Sequence, residues 1–139
     1  MSTRYHIEEK INAPVETVWA LLGDASTWKS WNPTIISIDG TIAVGQKVAL
    51  VSTLNPKRTF KLSVTEVAPN QRMVWSDGMP LGLFKGERTY TVAEQDGTTI
   101  FTMTEEYTGL LAGLITKSIP DMTDSFAEFA AGLKEAAEG

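Results

Sequence analysis

The apolar residues of this chain change period three times, and those changes constrain the fold more than any other feature. From residue 35 to residue 107 they follow a two-residue strand period or pack into short β-rich runs; over 15–31 and near the C-terminal end they follow a helical one. The strand-like runs are 35–39, 47–53, 60–68, 72–77, 84–93 and 98–107. Turn chemistry separates them: Asp39-Gly40, Gly45, Asn55-Pro56, Pro69-Asn70, the stretch 78–82, and Asp96-Gly97. Strands joined this closely form an antiparallel meander, because a parallel pair needs a crossover of a dozen or more residues. Before them, Tyr5, Ile7 and Ile11 alternate with Arg4, His6, Glu8 and Lys10, which predicts a half-buried first strand.

Helical spacing flanks this block. Asn12 is a candidate cap and Pro14 suits a first helical turn, with Val15, Val18, Trp19 and Leu22 on one face. Gly23-Asp24 ends that helix. A second short helix over 26–31 stops at Asn32-Pro33, since a residue before proline avoids the α region. At the C-terminal end Ile119, Met122, Phe126, Phe129, Leu133 and Ala136 form one apolar stripe. Leu110, Leu111, Leu114 and Ile115 extend that helix upstream, with a kink or break expected at Pro120. The expected class is α+β: a curved seven-stranded antiparallel sheet wrapped around a long C-terminal helix, with two short helices after the first strand.

At 139 residues, 42% hydrophobic and 21% charged, residues 1–139 are expected to form one domain. The net charge is −5 and the 12 basic residues are scattered, which argues against a nucleic-acid partner and against anionic lipid surfaces. With no cysteine there is no disulfide, thiolate nucleophile or Cys-based metal site. One histidine leaves only carboxylate ligands, and no Asp/Glu spacing forms a calcium loop, so neither a metal nor a cofactor is expected. Gly78, Gly82 and Gly86 do not run from a strand into a helix, as a phosphate-cradling motif would. The most lipid-like run, 109–115, is too short for a membrane span. The charged first ten residues lack the apolar run of a signal peptide, so a cytoplasmic protein is expected, as monomer or homodimer.

The sharpest inference concerns one hairpin. A turn at Gln95-Asp96-Gly97-Thr98 sets Val92 opposite Phe101, Tyr90 opposite Met103, Arg88 opposite Glu105 and Gly86 opposite Tyr107, all on one face. The other face carries Lys85, Glu87, Thr89, Thr91, Thr102, Thr104 and Glu106 and reads as solvent. Arg88 and Glu105 are therefore expected to face each other inside. They form either a satisfied core ion pair or a polar handle on the wall of a ligand cavity. Glu9 falls in the inward set of the first strand, where it either joins that site or reaches water near the strand end. Met73 and Trp75 share one face of their strand, as do Phe60, Leu62 and Val64, and both sets read first as plain core. Trp28 and Trp31 are either helix-to-sheet packing or one lip of a cavity. The apolar loop 78–83 is either an entrance flap or a loop tucked under the helix end.

Several segments together carry a resemblance. The run Ile11-Asn12-Ala13-Pro14-Val15-Glu16-Thr17-Val18-Trp19 resembles the I-x-A-P-x-x-x-V-W opening of the START-like superfamily, also called Bet v 1-like, SRPBCC or polyketide cyclase-like. Asp24 and Trp28-Lys29-Ser30-Trp31-Asn32-Pro33 are similar to its D…W…W-N-P segment. Gly40 and Gly45 match its G…G hairpin, Met73-Val74-Trp75 its L-x-W strand, Thr98 to Gly109 its G-T-T…E-E…G ending, and Phe129 to Glu138 its closing helix. The resemblance implies a helix-grip fold with a deep cavity between sheet and helix, in a family of lipid carriers, hormone receptors, aromatic polyketide cyclases and chaperone activators.

Three functions follow as expectations. The first is binding of a small apolar or aromatic molecule, with Trp31, Trp75, Arg88, Tyr90, Phe101, Met103, Glu105, Tyr107 and Phe126 as candidate ligand-contacting residues. The second is a cyclase or dehydratase using Glu105 or Glu9 as a buried carboxylate acid or base. His6, on the solvent face, is not a candidate. The third is a chaperone-activator-like module docking through the apolar loop 78–83.

Overall fold

A computed structural model describes residues 3–139. Seven strands form one antiparallel sheet: β1 (Thr3–Ile11), β2 (Ile35–Asp39), β3 (Lys47–Ser52), β4 (Phe60–Ala68), β5 (Arg72–Met79), β6 (Phe84–Gln95) and β7 (Thr98–Thr108). The order across the sheet is β1-β7-β6-β5-β4-β3-β2, a meander whose last strand pairs with the first. Irregular register at Ile35/Ser37 and Val64/Glu66 adds bend and twist, so the sheet curls into a half-barrel. Chain entry into α1 (Val15–Leu22) and α2 (Trp28–Trp31) follows β1 directly, with a 3-10 turn over Ala25–Thr27 between them. After β7 come α3 (Ala112–Ile115), a 3-10 turn at Thr116–Ser118, and the long α4 (Thr123–Glu138). Among the described residues no helix is long and apolar enough to cross a membrane.

The hairpin register is the one read from the turn. Val92, Tyr90, Arg88 and Gly86 stand opposite Phe101, Met103, Glu105 and Tyr107. Asp96 (φ 52°) and Gly97 (φ 82°) supply the two left-handed residues that a tight turn of matching twist requires. Helix α4 lies in the half-barrel and buries Phe126, Phe129, Ala130, Leu133 and Ala137. The face therefore ends on Ala137, and Ala136 is exposed. The sheet packs Ile11, Val92, Phe101 and Met103 into the same core. Gly132 lets α4 meet the end of α2: a Cβ there would sit 2.2 Å from the Trp31 carbonyl oxygen.

Four local expectations are corrected. Pro14 itself occupies the cap position of α1, while the backbone N–H of Asn12 donates to Glu138 Oε2 at 2.8 Å. The upstream extension is not continuous with the C-terminal helix, and of the kink or break expected at Pro120 it is the break that forms. Pro120 lies in a complete break between the Thr116–Ser118 turn and α4, so Ile119 and Met122 are not helical stripe positions. Strand β5 runs through Gly78 to Met79, leaving only residues 80–83 as the connection. That connection is not tucked away: Leu81 is 91% exposed.

Candidate functional site

The interior splits into two halves with different packing. In one half, aromatic rings fill the space between sheet and helix. Trp28 of α2 stacks on Trp75 of β5 with ring centroids 5.1 Å apart at 14°. Phe129 of α4 meets Trp28 and Trp31 edge-on and stacks on Phe101. Tyr90 packs against Trp75 and Phe129. Each such pair contributes about 0.5–1.5 kcal/mol beyond the area it buries, so this end is a rigid floor.

In the other half the sheet and α4 diverge and enclose a cavity of about 410 Å³. This size lies within the roughly 300–1,000 Å³ typical of small-molecule sites. The sheet side is formed by Leu50, Phe60, Leu62, Phe84 and Tyr107. Ile115, Ile119, Pro120 and Met122, the broken connection into α4, line it from the helix side. The helix break at Pro120 thus has a consequence: a continuous helix would not present Ile119 and Met122 in this way. Leu54 and Met79, both partly exposed, mark where the cavity reaches the surface.

Arg88 and Glu105 contribute the buried charge in this wall; Arg58 and Asp77, which also line it, are exposed. Arg88 Nε donates to Glu105 Oε2 at 2.9 Å, and Nη2 donates to the same oxygen. The guanidinium carbon sits 5.0 Å from the ring centre of Phe126, whose face stabilises the cation. Burial pulls against the charged guanidinium, but the Glu105 carboxylate and its hydrogen bonds outweigh it and raise the Arg88 pKa. Burial pushes the Tyr90 phenol up to about 12, partly offset by Arg88. Tyr107 is also raised, by burial and then by Glu105, and its hydroxyl donates to Met122 Sδ at 3.2 Å.

Among the other polar residues that line this cavity, Asn32 and Trp75 stand out. Asn32 Oδ1 accepts from the Thr34 backbone N–H at 2.9 Å and from Thr34 Oγ1 at 2.7 Å. A backbone N–H can only donate, so the amide orientation is fixed and Nδ2 is the atom left over. Neither Asn32 Nδ2 nor Trp75 Nε1 has a hydrogen-bond partner among the described residues, although Asn32 and Trp75 are only 3% and 1% exposed. The other two core tryptophans are satisfied: Trp28 Nε1 donates to the Leu22 carbonyl and Trp31 Nε1 to Thr27 Oγ1.

Of the residues singled out from sequence, Trp75, Arg88, Tyr90, Glu105 and Tyr107 come together on the cavity wall. Trp31, Phe101, Met103 and Phe126 lie off it. Trp31 and Phe101 are held by Phe129, Met103 is fully buried in the sheet–helix core, and Phe126 lies beneath Arg88 and beside Tyr5. Glu9 faces inward on β1 opposite Phe101 and does not line the cavity. His6 lies on the outer face, hydrogen-bonded to Thr104. Sequence reasoning missed Asn32, which reads as a helix stop, and Ile115, Ile119 and Met122, which read as helix core. Among the described residues no group of three His, Asp or Glu side chains gathers to hold a metal.

A curled sheet gripping one long helix over an apolar cavity defines the helix-grip class. The chain belongs to the polyketide cyclase / dehydrase and lipid transport family, whose model matches residues 3–138. None of the curated proteins compared matches the sequence significantly. Solved structures share the fold at low identity. A hypothetical protein from Helicobacter pylori is 14% identical, with TM-score 0.74 over 99% of this chain and 88% of its own. The Aha1 dimer of Colwellia psychrerythraea is 18% identical, with TM-score 0.73 over 98% and 96%. Truncated norcoclaurine synthase from Thalictrum flavum is 15% identical, with TM-score 0.72 over 97% and 92%. At these identities the likeness is one of fold, and fold does not fix chemistry.

Proposed function

We propose that this protein binds a small apolar or aromatic molecule in the cavity between the half-barrel and α4. The observation that carries the reading is the cavity itself: about 410 Å³, walled by aliphatic and aromatic side chains and floored by the Trp28–Trp75 stack. Its buried charged wall groups are already paired, since the Glu105 carboxylate accepts two hydrogen bonds from Arg88, while Arg58 and Asp77 line it from exposed positions. This arrangement favours holding a ligand over acid–base work by Glu105. The family description, which joins cyclase and dehydrase chemistry to lipid transport, supports an apolar occupant.

The test is a thermal-shift panel of aromatic and aliphatic hydrophobes of one to three rings or chains of comparable size. A ligand at one hundred times its Kd stabilises the folded state by about 2.7 kcal/mol. For a domain of this length that is a rise in Tm on the order of 5–10 °C. A flat panel overturns the proposal.

A further inference from the structure

Apolar and charged side chains are distributed around the mouth of the cavity unlike those on the rest of the surface. Three segments frame that mouth, and each contributes to the cavity wall: 53–59 through Leu54, 78–85 through Met79, and 109–120 through Ile115 and Ile119. The last two are fastened together, because the backbone N–H groups of Leu110 and Leu111 donate to the Gly82 and Leu83 carbonyls at 3.1 and 2.7 Å. On this joined pair Leu81, Leu110 and Leu114 are 91%, 84% and 68% exposed. Of the large hydrophobic side chains exposed among the described residues, all but Ile36 and Val44 lie on the three segments. Leu81 also has φ 61°, in the left-handed region that favours Gly, Asn or Asp. A leucine there forgoes both backbone comfort and burial, and nothing within the described chain offsets either loss.

Charge follows the same boundary. The three segments carry Lys57, Arg58, Lys85 and Lys117, four of the 12 basic residues, and none of the 17 acidic ones. Lys85 pairs with Glu87, and Asp77 and Asp121 adjoin the segments. Lys57 and Lys117 are exposed and form no ion pair among the described residues. The net charge of −5 argues against an anionic surface, but charges farther away than about 8 Å are largely screened at physiological ionic strength, so the local sign decides.

We propose that the mouth of the cavity docks on an anionic phospholipid surface. Leu81, Leu110 and Leu114 enter the boundary between headgroups and acyl chains, and Lys57 and Lys117 meet the lipid anions. A protein partner fits this rim less well: binding hot spots favour Trp, Tyr and Arg over Leu, and the three segments contain no Trp or Tyr. Docking sets the cavity mouth against the bilayer. Passage of an apolar guest from lipid to cavity rests on the binding reading above; the docking does not.

The test is co-sedimentation of the full chain with vesicles of phosphatidylcholine alone or with about one third phosphatidylserine, no guest being added. Saturable binding to the mixed vesicles is expected, weaker by about tenfold on phosphatidylcholine alone or in about 0.5 M salt. Leu81→Ser/Leu110→Ser/Leu114→Ser should weaken it by at least about tenfold, and Lys57→Gln/Lys117→Gln should remove the preference for phosphatidylserine. Val44→Ser, exposed but outside the cavity lining, should bind as wild type. Circular dichroism checks that each variant folds; should the triple variant not, Leu81→Ser and the lysine variant decide. Absence of binding to either vesicle overturns the proposal, as does equal binding to both or binding that the leucine variants leave unchanged. Self-association that the leucine variants abolish, without vesicle binding, also overturns it and assigns the patch to a second copy of the chain. The cavity reading stands or falls separately, on the vesicle-free thermal-shift panel.

Discussion

Removing either half of the Arg88–Glu105 pair should cost more than removing both. A guanidinium cannot shed its proton, so Glu105→Leu leaves a cation in a wall where its side chain is only 21% exposed. Conversely, Arg88→Met leaves a carboxylate that is 15% exposed. Breaking a fully buried pair costs about 3–5 kcal/mol. A fully exposed pair contributes about 0–1 kcal/mol. The observed exposures place this pair nearer the buried limit, at roughly 2–3 kcal/mol for Arg88→Met. Glu105→Leu should cost a similar amount, because the cation that cannot shed its proton keeps only the Phe126 face, 5.0 Å away, in partial compensation. The double variant Arg88→Met/Glu105→Leu removes both charges and should return to within about 1 kcal/mol of wild type. Urea unfolding followed by circular dichroism measures all four corners of the cycle, and a coupling energy of about 2 kcal/mol or more is expected. Single variants that each cost under 0.5 kcal/mol, or a double variant equal to the sum of the singles, would show that the pair behaves as a surface contact.

The remaining predictions concern packing and pH. Gly132→Ala gains helix propensity of up to about 1 kcal/mol, but its Cβ would lie 2.2 Å from the Trp31 carbonyl oxygen. The clash with backbone should win, lowering stability by about 1–3 kcal/mol in the same unfolding assay, and a neutral result would contradict the contact between α4 and α2. Tyr90 is held un-ionised to about pH 12 by burial, against 10.0 for the free side chain. Its contribution is fully present below pH 10 and is lost as pH rises from 10 toward 12, roughly 2–3 kcal/mol in all. Ultraviolet titration should therefore show Tyr90 and Tyr107 ionising only beyond the ordinary tyrosine range or on unfolding. Normal ionisation of all three tyrosines in the folded protein would refute their burial.

Most of the architecture was legible because it rests on local signals. Asp96-Gly97 sets a two-residue turn, the turn sets the β6/β7 register, and period 2 then places Arg88 across from Glu105. The cavity was less legible because it depends on where side chains stop short of one another. Trp31 and Trp28 are equivalent in sequence, yet only Trp28 lines the cavity; Trp31 turns to Phe129 and Thr27. Ile119 and Met122 continue the spacing of Phe126 and Phe129, and periodicity alone cannot show that Pro120 takes them out of the helix and into the cavity wall. Asn32 illustrates the same limit. Its position before proline announces the end of α2, while the bond that leaves its Nδ2 unpaired forms only once Thr34 is in place.

The account's central claim is that the cavity takes an apolar guest. It is tested most directly by amide NMR of the isotopically labelled protein titrated with 2-acetylnaphthalene and with a saturated hydrocarbon of similar volume. Saturable shifts concentrated at Met79, Gly86, Arg88 and Ile119, with the outer-face residues Glu87 and Thr104 unmoved, are the predicted result. Saturable shifts confined to the outer face, or no shifts from either compound, would contradict it.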